Sequence, residues 1–209
     1  MQRFENRHWG LNCNVDPNFG ELSTAFTTVL VEDPKEGPVD FLLDCSPDKR
    51  VSHYGLNGRA TNIYSVTSRK FESRGELIAK LFWGEKSRVS EPEILKKVYE
   101  IAETEPDVRN HVPAMVFSHE FSDSSTDTIR ERLGLPVDGA RVLYMIIFQE
   151  LMPITKLVGD PFLSCWWDTV KCDRLSLSML ESNSILLHLK VISRCGRMVF
   201  VTVTSVPPI

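Results

Sequence analysis

Short apolar segments separated by turn-forming residues dominate the pattern along the chain. Runs rich in β-branched and aromatic residues, bounded by Gly, Pro, Asp and Ser, are typical of strands. They predict strands over Val39–Leu43, Glu76–Phe82, Val112–Phe117 and Val142–Phe148. The last run, VLYMIIF, has no polar residue and is typical of a strand buried on both faces. In Glu76–Phe82, Ile78, Lys80 and Phe82 fall on one face of the strand.

One segment has the periodicity of an amphipathic helix, Ser90–Thr104. Ser90 and Glu93 form a capping-box pattern, and Pro92 suits a first helical turn. The predicted apolar stripe consists of Ile94, Leu95, Val98, Ile101 and Ala102. Residues 118–139 are expected to be a loop around a short helix, Thr128–Leu133, and Pro161–Arg174 is expected to be helical. Strands, a helix, further strands and a final helix favour an α+β fold over a doubly wound sheet.

Composition excludes several classes of protein. The 209 residues fit one large domain or two small ones, and 42% hydrophobic with 25% charged residues excludes collagen-like, coiled-coil and wholly disordered chains. A net charge of −4 gives no general attraction to nucleic acid or to anionic lipid, so neither partner is expected.

Cysteine spacing and hydropathy bear on the compartment. The five cysteines include no C-x-x-C pair, so neither a disulfide framework nor a zinc site is expected. The N-terminal sequence MQRFENRHWGLN lacks the apolar stretch of a signal peptide, and no apolar run approaches 18 residues. These features predict a cytoplasmic or nuclear protein.

A pair of glycines interrupts the strand-like stretch Val51–Tyr64. Gly55 and Gly58 in a strand–turn–strand segment would let the backbone approach a phosphate without an intervening side chain. The alternative interpretation is an ordinary hairpin turn, which uses glycine for its backbone conformation.

Two charged residues occupy positions where neighbours are apolar. Lys80 stands between Ala79 and Leu81 in a predicted strand, where it either meets an anion or guards a sheet edge. Glu91 precedes Ile94 by three residues, and so shares the apolar face of the predicted helix. The alternative role of Glu91 is to complement the helix dipole.

Taken in order, these features resemble the small lobe of a protein kinase, with a glycine loop, a strand lysine, a helix glutamate and an apolar strand before a hinge. More specifically, residues 50–172 resemble the fungal-type protein kinase family. The matching stretches are GLNGRATNIY, ELIAKLFWGEKSRVSEPEIL, RVLYMIIFQELMPITKL and FLSCWWDTVKC. The glycine loop departs from the general kinase pattern, with G-x-x-G in place of G-x-G-x-x-G.

The resemblance implies a small lobe built of an antiparallel sheet and one packed helix, followed by a hinge and the first helices of a large lobe. It implies ATP as cofactor and a protein Ser/Thr hydroxyl as substrate, with the protein substrate unknown. Lys80 would hold the phosphates, Glu91 would orient Lys80, and Gly55 and Gly58 would line the phosphate loop. The adenine would bind the hinge backbone, which consists of Gln149, Glu150 and Leu151.

The catalytic half of a kinase is missing from the sequence. After Leu151 there is no H-R-D motif and no later D-x-G motif, so magnesium is not expected to be held by this chain alone. Read from the third base of each codon, the segment RMVFVTVTSVPPI permits N-G-V-C-H-R-D-V-S-P-P-N, which has the form of the absent loop. We interpret this as a frameshift or a retained intron between Cys172 and Ser193. The alternative is a genuine divergent tail that packs as a strand.

The expected organisation has four parts. Residues 1–49 are an irregular upstream segment, 50–152 are the small lobe and hinge, 153–174 are the first large-lobe helices, and 175–209 are an aberrant tail. The family implies phosphoryl transfer, but the chain as written is expected to be inactive. The alternatives are a non-catalytic nucleotide-binding or interaction module, a pseudokinase, and a non-functional gene fragment.

Overall fold

The protein is described here by a computed structural model. The described residues are 25–33, 37–46, 51–52, 60–104, 112–151, 156, 158–160, 163, 190–191 and 201–202. Within them the fold is α+β, with few helices and an antiparallel sheet that has six strands in its main path and a seventh, short strand paired to one of them. The predicted helix Pro161–Arg174 and most of the predicted tail lie outside the described residues.

The regular elements follow one another in the order strands, helix, strand, short helix, strand. They are β1 (Phe26–Asp33), β2 (Gly37–Asp44), β3 (Val51–Ser52), β4 (Asn62–Thr67), a 3₁₀ helix (Arg69–Arg74), β5 (Leu77–Glu85), α1 (Glu91–Thr104), β6 (Met115–Ser125), α2 (Asp127–Arg132), β7 (Arg141–Gln149), β8 (Lys190–Val191) and β9 (Val201–Thr202). The sheet has the order β1-β2-β4-β5-β7-β6, and β3 also pairs with β4. Strands β8 and β9 pair with each other in a separate two-stranded sheet.

The first hairpin shows regular structure within the segment 1–49, which was expected to be irregular, over the described strands Phe26–Asp33 and Gly37–Asp44. β1 and β2 are eight-residue antiparallel strands, paired from Phe26 opposite Asp44 to Asp33 opposite Gly37. The predicted strand Val39–Leu43 is confirmed within β2. Side chains alternate cleanly, and the buried set consists of Val29, Val31, Val39, Phe41 and Leu43. Since a strand exposes every second residue, this pattern marks one face of the hairpin as core and the other as surface.

Strands β5 and β7 are buried along most of their length. The predicted strand Glu76–Phe82 is confirmed as β5, whose residues from Leu77 to Phe82 are all buried. The predicted strand Val142–Phe148 is confirmed as β7, and all seven residues of that run are buried. Burial on both faces explains why these segments show continuous rather than alternating hydrophobicity.

Helix α1 begins where the capping box predicts. The Ser90 backbone N–H donates to the Glu93 carboxylate at 2.9 Å, and the Glu93 N–H donates back to the Ser90 hydroxyl at 3.4 Å. The buried face consists of Glu91, Pro92, Ile94, Leu95, Val98 and Ala102. Ile101 was expected in this stripe but is exposed. Ile101 lies at the margin of the buried face, and its side chain is exposed to solvent.

The second half of the sheet differs from the expectation between residues 118 and 125. The predicted strand Val112–Phe117 continues as β6 through Ser125, where a loop was expected. The predicted short helix is present as α2, Asp127–Arg132. Polar residues are tolerated along β6 because only Phe117 and Phe121 among its residues are buried.

The chain divides into two compact units. The first comprises 1–83, 117–121 and 143–149, and so contains β1 to β4, most of β5 and most of β7. The second comprises 84–116, 122–142 and 150–209, and contains α1 and α2. Among the described residues, no helix is long and apolar enough to cross a membrane.

Candidate functional site

Lys80 lies in the middle of β5, within the first unit. Its Cα is paired with that of Ile63 on β4, and β7 is the neighbour of β5 on the other side. The residue is 5% exposed. Burying an ammonium group is costly unless a compensating group faces it, so this position is unusual for lysine.

Lys80 contacts an aromatic ring two residues along the same strand. The Lys80 Nζ lies 5.2 Å from the centroid of the Phe82 ring, a cation–π distance. Phe82 in turn stacks on Tyr144 of β7, with centroids 5.5 Å apart and planes at 21°. The predicted placement of Lys80 and Phe82 on one strand face agrees with this contact.

The connection that carries the predicted phosphate loop joins β3 to β4. In the pairing of these two strands, which is antiparallel, Val51 lies opposite Ile63 and Ser52 lies opposite Asn62. Gly55 and Gly58 lie outside the described residues. At the end of the connection, Ala60 has a φ of +45°, in the left-handed region that non-glycine residues rarely adopt.

The predicted hinge follows β7. Gln149 is the last residue of the strand and is exposed, Glu150 is half-buried, and Leu151 is exposed. Gly75, with a φ of +80°, ends the 3₁₀ helix just before β5, and a Cβ built on it would lie 3.9 Å from the Gln149 Nε2. Gly75 therefore lies close to Gln149, which places the end of β7 beside the start of β5, as the antiparallel sheet requires.

Glu91 opens α1 in the second unit and is 4% exposed. The burial of Glu91 on the apolar face of the helix is confirmed. The competing role, complementing the helix dipole, is also available to Glu93, which is exposed and hydrogen-bonded in the capping box. Those hydrogen bonds, above all the one from the Ser90 backbone, lower the pKa of Glu93. The N-terminus of α1 therefore carries two carboxylates. Glu93 is exposed and forms the capping hydrogen bonds, whereas Glu91 is buried.

The first unit thus brings together part of the predicted site. Lys80, the strand entered by the glycine connection and the start of the predicted hinge all belong to it. Glu91 belongs to the second unit, so its pairing with Lys80 stays a prediction. The predicted helix Pro161–Arg174 carries Phe162, Trp166 and Trp167, whose apolar surface is expected to lie partly open, and all three residues lie outside the described residues.

Sequence patterns do not predict the hydrogen bonds that join α1 to the start of the following strand, β6. The Tyr99 hydroxyl donates to the Pro113 carbonyl at 2.7 Å and accepts from the Met115 N–H at 2.7 Å. Burial raises the pKa of Tyr99 above its ordinary value of 10.0. A tyrosine at this helical position could be noticed in the sequence, but both partners are backbone groups, which no residue pattern specifies.

A salt bridge and a hydrogen bond hold the connection between β6 and β7. The Lys86 ammonium forms a salt bridge with the Asp127 carboxylate at the start of α2. This hydrogen bond, with help from Ser125 and the Thr128 backbone, holds the pKa of Asp127 far below its usual range. The Thr126 hydroxyl also accepts from the Arg141 N–H at 2.8 Å, so the base of the connection is firmly bonded.

Among the described residues, no group of three or more His, Cys, Asp or Glu side chains could hold a metal ion. Comparison of the chain with protein-family models, with curated proteins and with solved structures returns no match. The resemblance to fungal-type protein kinases therefore rests on the residues of this chain alone.

Proposed function

We propose that this chain forms a protein-kinase-like, ATP-binding small lobe that does not itself transfer phosphate. The observation that carries the proposal is the position of Lys80 in the sheet. Its strand, β5, lies between β4, which the glycine connection enters, and β7, which leads into the predicted hinge. A nucleotide spanning from the hinge to the phosphate loop would pass the strand that carries the lysine.

The order of elements along the chain supports the same proposal. Counted from β3, which precedes the glycine connection, β5 is the third strand, the strand that carries the phosphate-binding lysine in protein kinases. Helix α1 follows directly, as does the kinase helix that carries the glutamate partner. We expect Glu91 to orient Lys80 on this basis.

The burial of Lys80 separates the two interpretations of this residue. A lysine that guards a sheet edge is exposed, whereas this lysine lies on an interior strand and is almost fully buried. The edge-guard alternative is therefore disfavoured by the sheet order.

The proposed lack of phosphoryl transfer rests on missing groups. Transfer depends almost wholly on positioning and on electrostatic stabilisation by metal-bound carboxylates and a loop aspartate. The sequence after Leu151 has no H-R-D and no D-x-G motif, and Lys80 and Glu91 act on the nucleotide rather than on the attacking hydroxyl. Binding and catalysis are thus separable in this chain.

The experiment compares ATP with adenosine on the purified full chain. We expect ATP to raise the thermal unfolding midpoint in a concentration-dependent way, since a ligand that binds only the folded state stabilises it by mass action. Adenosine, which lacks the phosphates, should stabilise it less. With labelled ATP and magnesium, no phosphate should appear on the chain or on a basic protein substrate.

Each part of this experiment has a result that would contradict the proposal. Equal shifts from ATP and adenosine, or none from either, would contradict the phosphate-binding role of Lys80. Phosphate transfer that disappears in Lys80→Ala would contradict the proposed inactivity. Absence of cooperative unfolding in the unliganded chain would favour the gene-fragment alternative.

A further inference from the structure

The outer face of the β1–β2 hairpin carries an apolar stripe that the fold leaves open. Phe26 is 53% exposed and Leu30 is 74% exposed, and both point away from the buried face. Leu42 on β2 is exposed on the same side and is paired with Thr28, which lies between them on β1. Diagonal neighbours across an antiparallel pair lie within reach of large side chains, so the three form one continuous stripe.

The charged residues on the outer face of the hairpin are all acidic. Glu32 lies beyond Leu30 on β1, and Asp40 is paired with Leu30 from β2; both are exposed. None of the residues of β1 and β2 is basic. An apolar stripe beside carboxylates fits an occupant in which large apolar residues alternate with arginines, the combination enriched in tightly bound interfaces.

The chain has such a segment upstream of the hairpin. The N-terminal segment, residues 1–12, reads MQRFENRHWGLN, with Phe4 and Trp9 close to Arg3 and Arg7. Residues 13–24 join it to β1, and when extended they would span about 40 Å. The stripe from Phe26 to Leu30 is about 14 Å long, at the usual rise per strand residue. The segment therefore has ample length to return across the face.

We propose that the N-terminal segment docks on the outer face of the β1–β2 hairpin, with its aromatic side chains on the apolar stripe and its arginines toward Glu32 and Asp40. Tethering favours this occupant over a free partner, because a short linker gives an effective concentration on the order of millimolar. The proposal concerns a surface distant in sequence from Lys80 and does not depend on nucleotide binding.

The test is limited trypsin digestion of the full chain, with release of residues 1–7 measured by mass spectrometry. Cleavage after Arg7 should be slow in the wild-type chain compared with a synthetic peptide of residues 1–12. In Leu30→Glu it should be about tenfold faster, because cleavage of a transiently released segment follows the population of the released state. Since Leu30 is mostly exposed, this substitution should leave the hairpin folded.

Two further variants sharpen the result. Trp9→Ser changes only the docking segment and should accelerate cleavage to a similar extent. Ile129→Glu, at a residue of α2 that is 60% exposed, introduces the same charge elsewhere and should leave the rate unchanged. Cleavage after Arg7 at the free-peptide rate in the wild-type chain would overturn the proposal. Protection that falls on dilution would also overturn it, by showing that a second copy covers the stripe.

Discussion

The double hydrogen bond of the Tyr99 hydroxyl offers the sharpest test of how α1 is held. Tyr99→Phe removes one oxygen and keeps the ring, so the packing of the side chain is retained. The change leaves the Pro113 carbonyl and the Met115 N–H without the partner that each has at 2.7 Å. The substitution therefore isolates the contribution of the hydroxyl.

The expected loss follows from these two contacts. A net intramolecular hydrogen bond contributes about 1 kcal/mol, and a buried group left unpaired costs about 1–3 kcal/mol. Because the site is only half-buried, water can replace part of the loss, and we expect about 2 kcal/mol in total. For a chain of this size that corresponds to a midpoint lowered by about 4–8 °C.

Urea unfolding of the wild-type chain and of Tyr99→Phe measures this difference in unfolding free energy. The comparison requires that the slope of the free energy against urea concentration be the same in both proteins. Thr104→Val is the matched control, since it removes a hydroxyl that donates to the Ile101 carbonyl at the exposed end of the same helix. We expect the control to change stability by less than about 0.5 kcal/mol, as surface substitutions do. A Tyr99→Phe effect no larger than that of the control would refute the proposed tie.

Three further predictions concern stability. Phe41→Ala should cost about 3–5 kcal/mol in urea unfolding, because Phe41 is fully buried and packs on other aromatic rings; a loss below 1 kcal/mol, about that of a surface change, would contradict a core role for the first hairpin. Ser90→Ala should cost about 1 kcal/mol through the lost cap, and the contribution of Glu93, whose pKa is lowered on folding, should be present above pH 4.5 and disappear as the pH falls through its folded value; a pH-independent effect of the substitution would argue against the capping box. Because folding raises the pKa of Tyr99, its contribution should be complete below pH 10 and decline above it, and titration of stability from pH 9 to 11 should show a shallower decline in Tyr99→Phe.

Much of the sheet could be predicted because its strands carry strong local signals. β7 is a continuous apolar run and α1 has both a capping box and a 3.6-residue period. β1 was missed because Leu30 points outward between two buried valines, so that an alternating strand shows three consecutive apolar residues. The extension of β6 was missed because, within Ser118–Ser125, Phe121 is the single buried residue.

The candidate site shows the same division between local and long-range information. A lysine between apolar neighbours in a strand could be singled out from sequence, although an interior position and a sheet edge both stayed open for it. The position of β5 between β4 and β7 could not be predicted, because strand order depends on pairings between distant segments. The Tyr99 contact likewise joins residues 14 and 16 positions apart through backbone atoms, which carry no sequence signature.

The central claim is that Lys80 binds the phosphates of a nucleotide, and equilibrium titration with ATP and with adenosine tests it most directly. The variants are Lys80→Met, which keeps most of the side-chain volume without the charge, and Lys97→Met, which removes an exposed charge from α1 as the control. Losing a charge-assisted contact of about 1.5–3 kcal/mol should weaken ATP binding by at least about tenfold in Lys80→Met, with adenosine binding unchanged. Lys97→Met should bind both ligands as the wild-type chain does. ATP binding of equal affinity in Lys80→Met and the wild-type chain, or no ATP binding to the folded wild-type chain, would contradict the account.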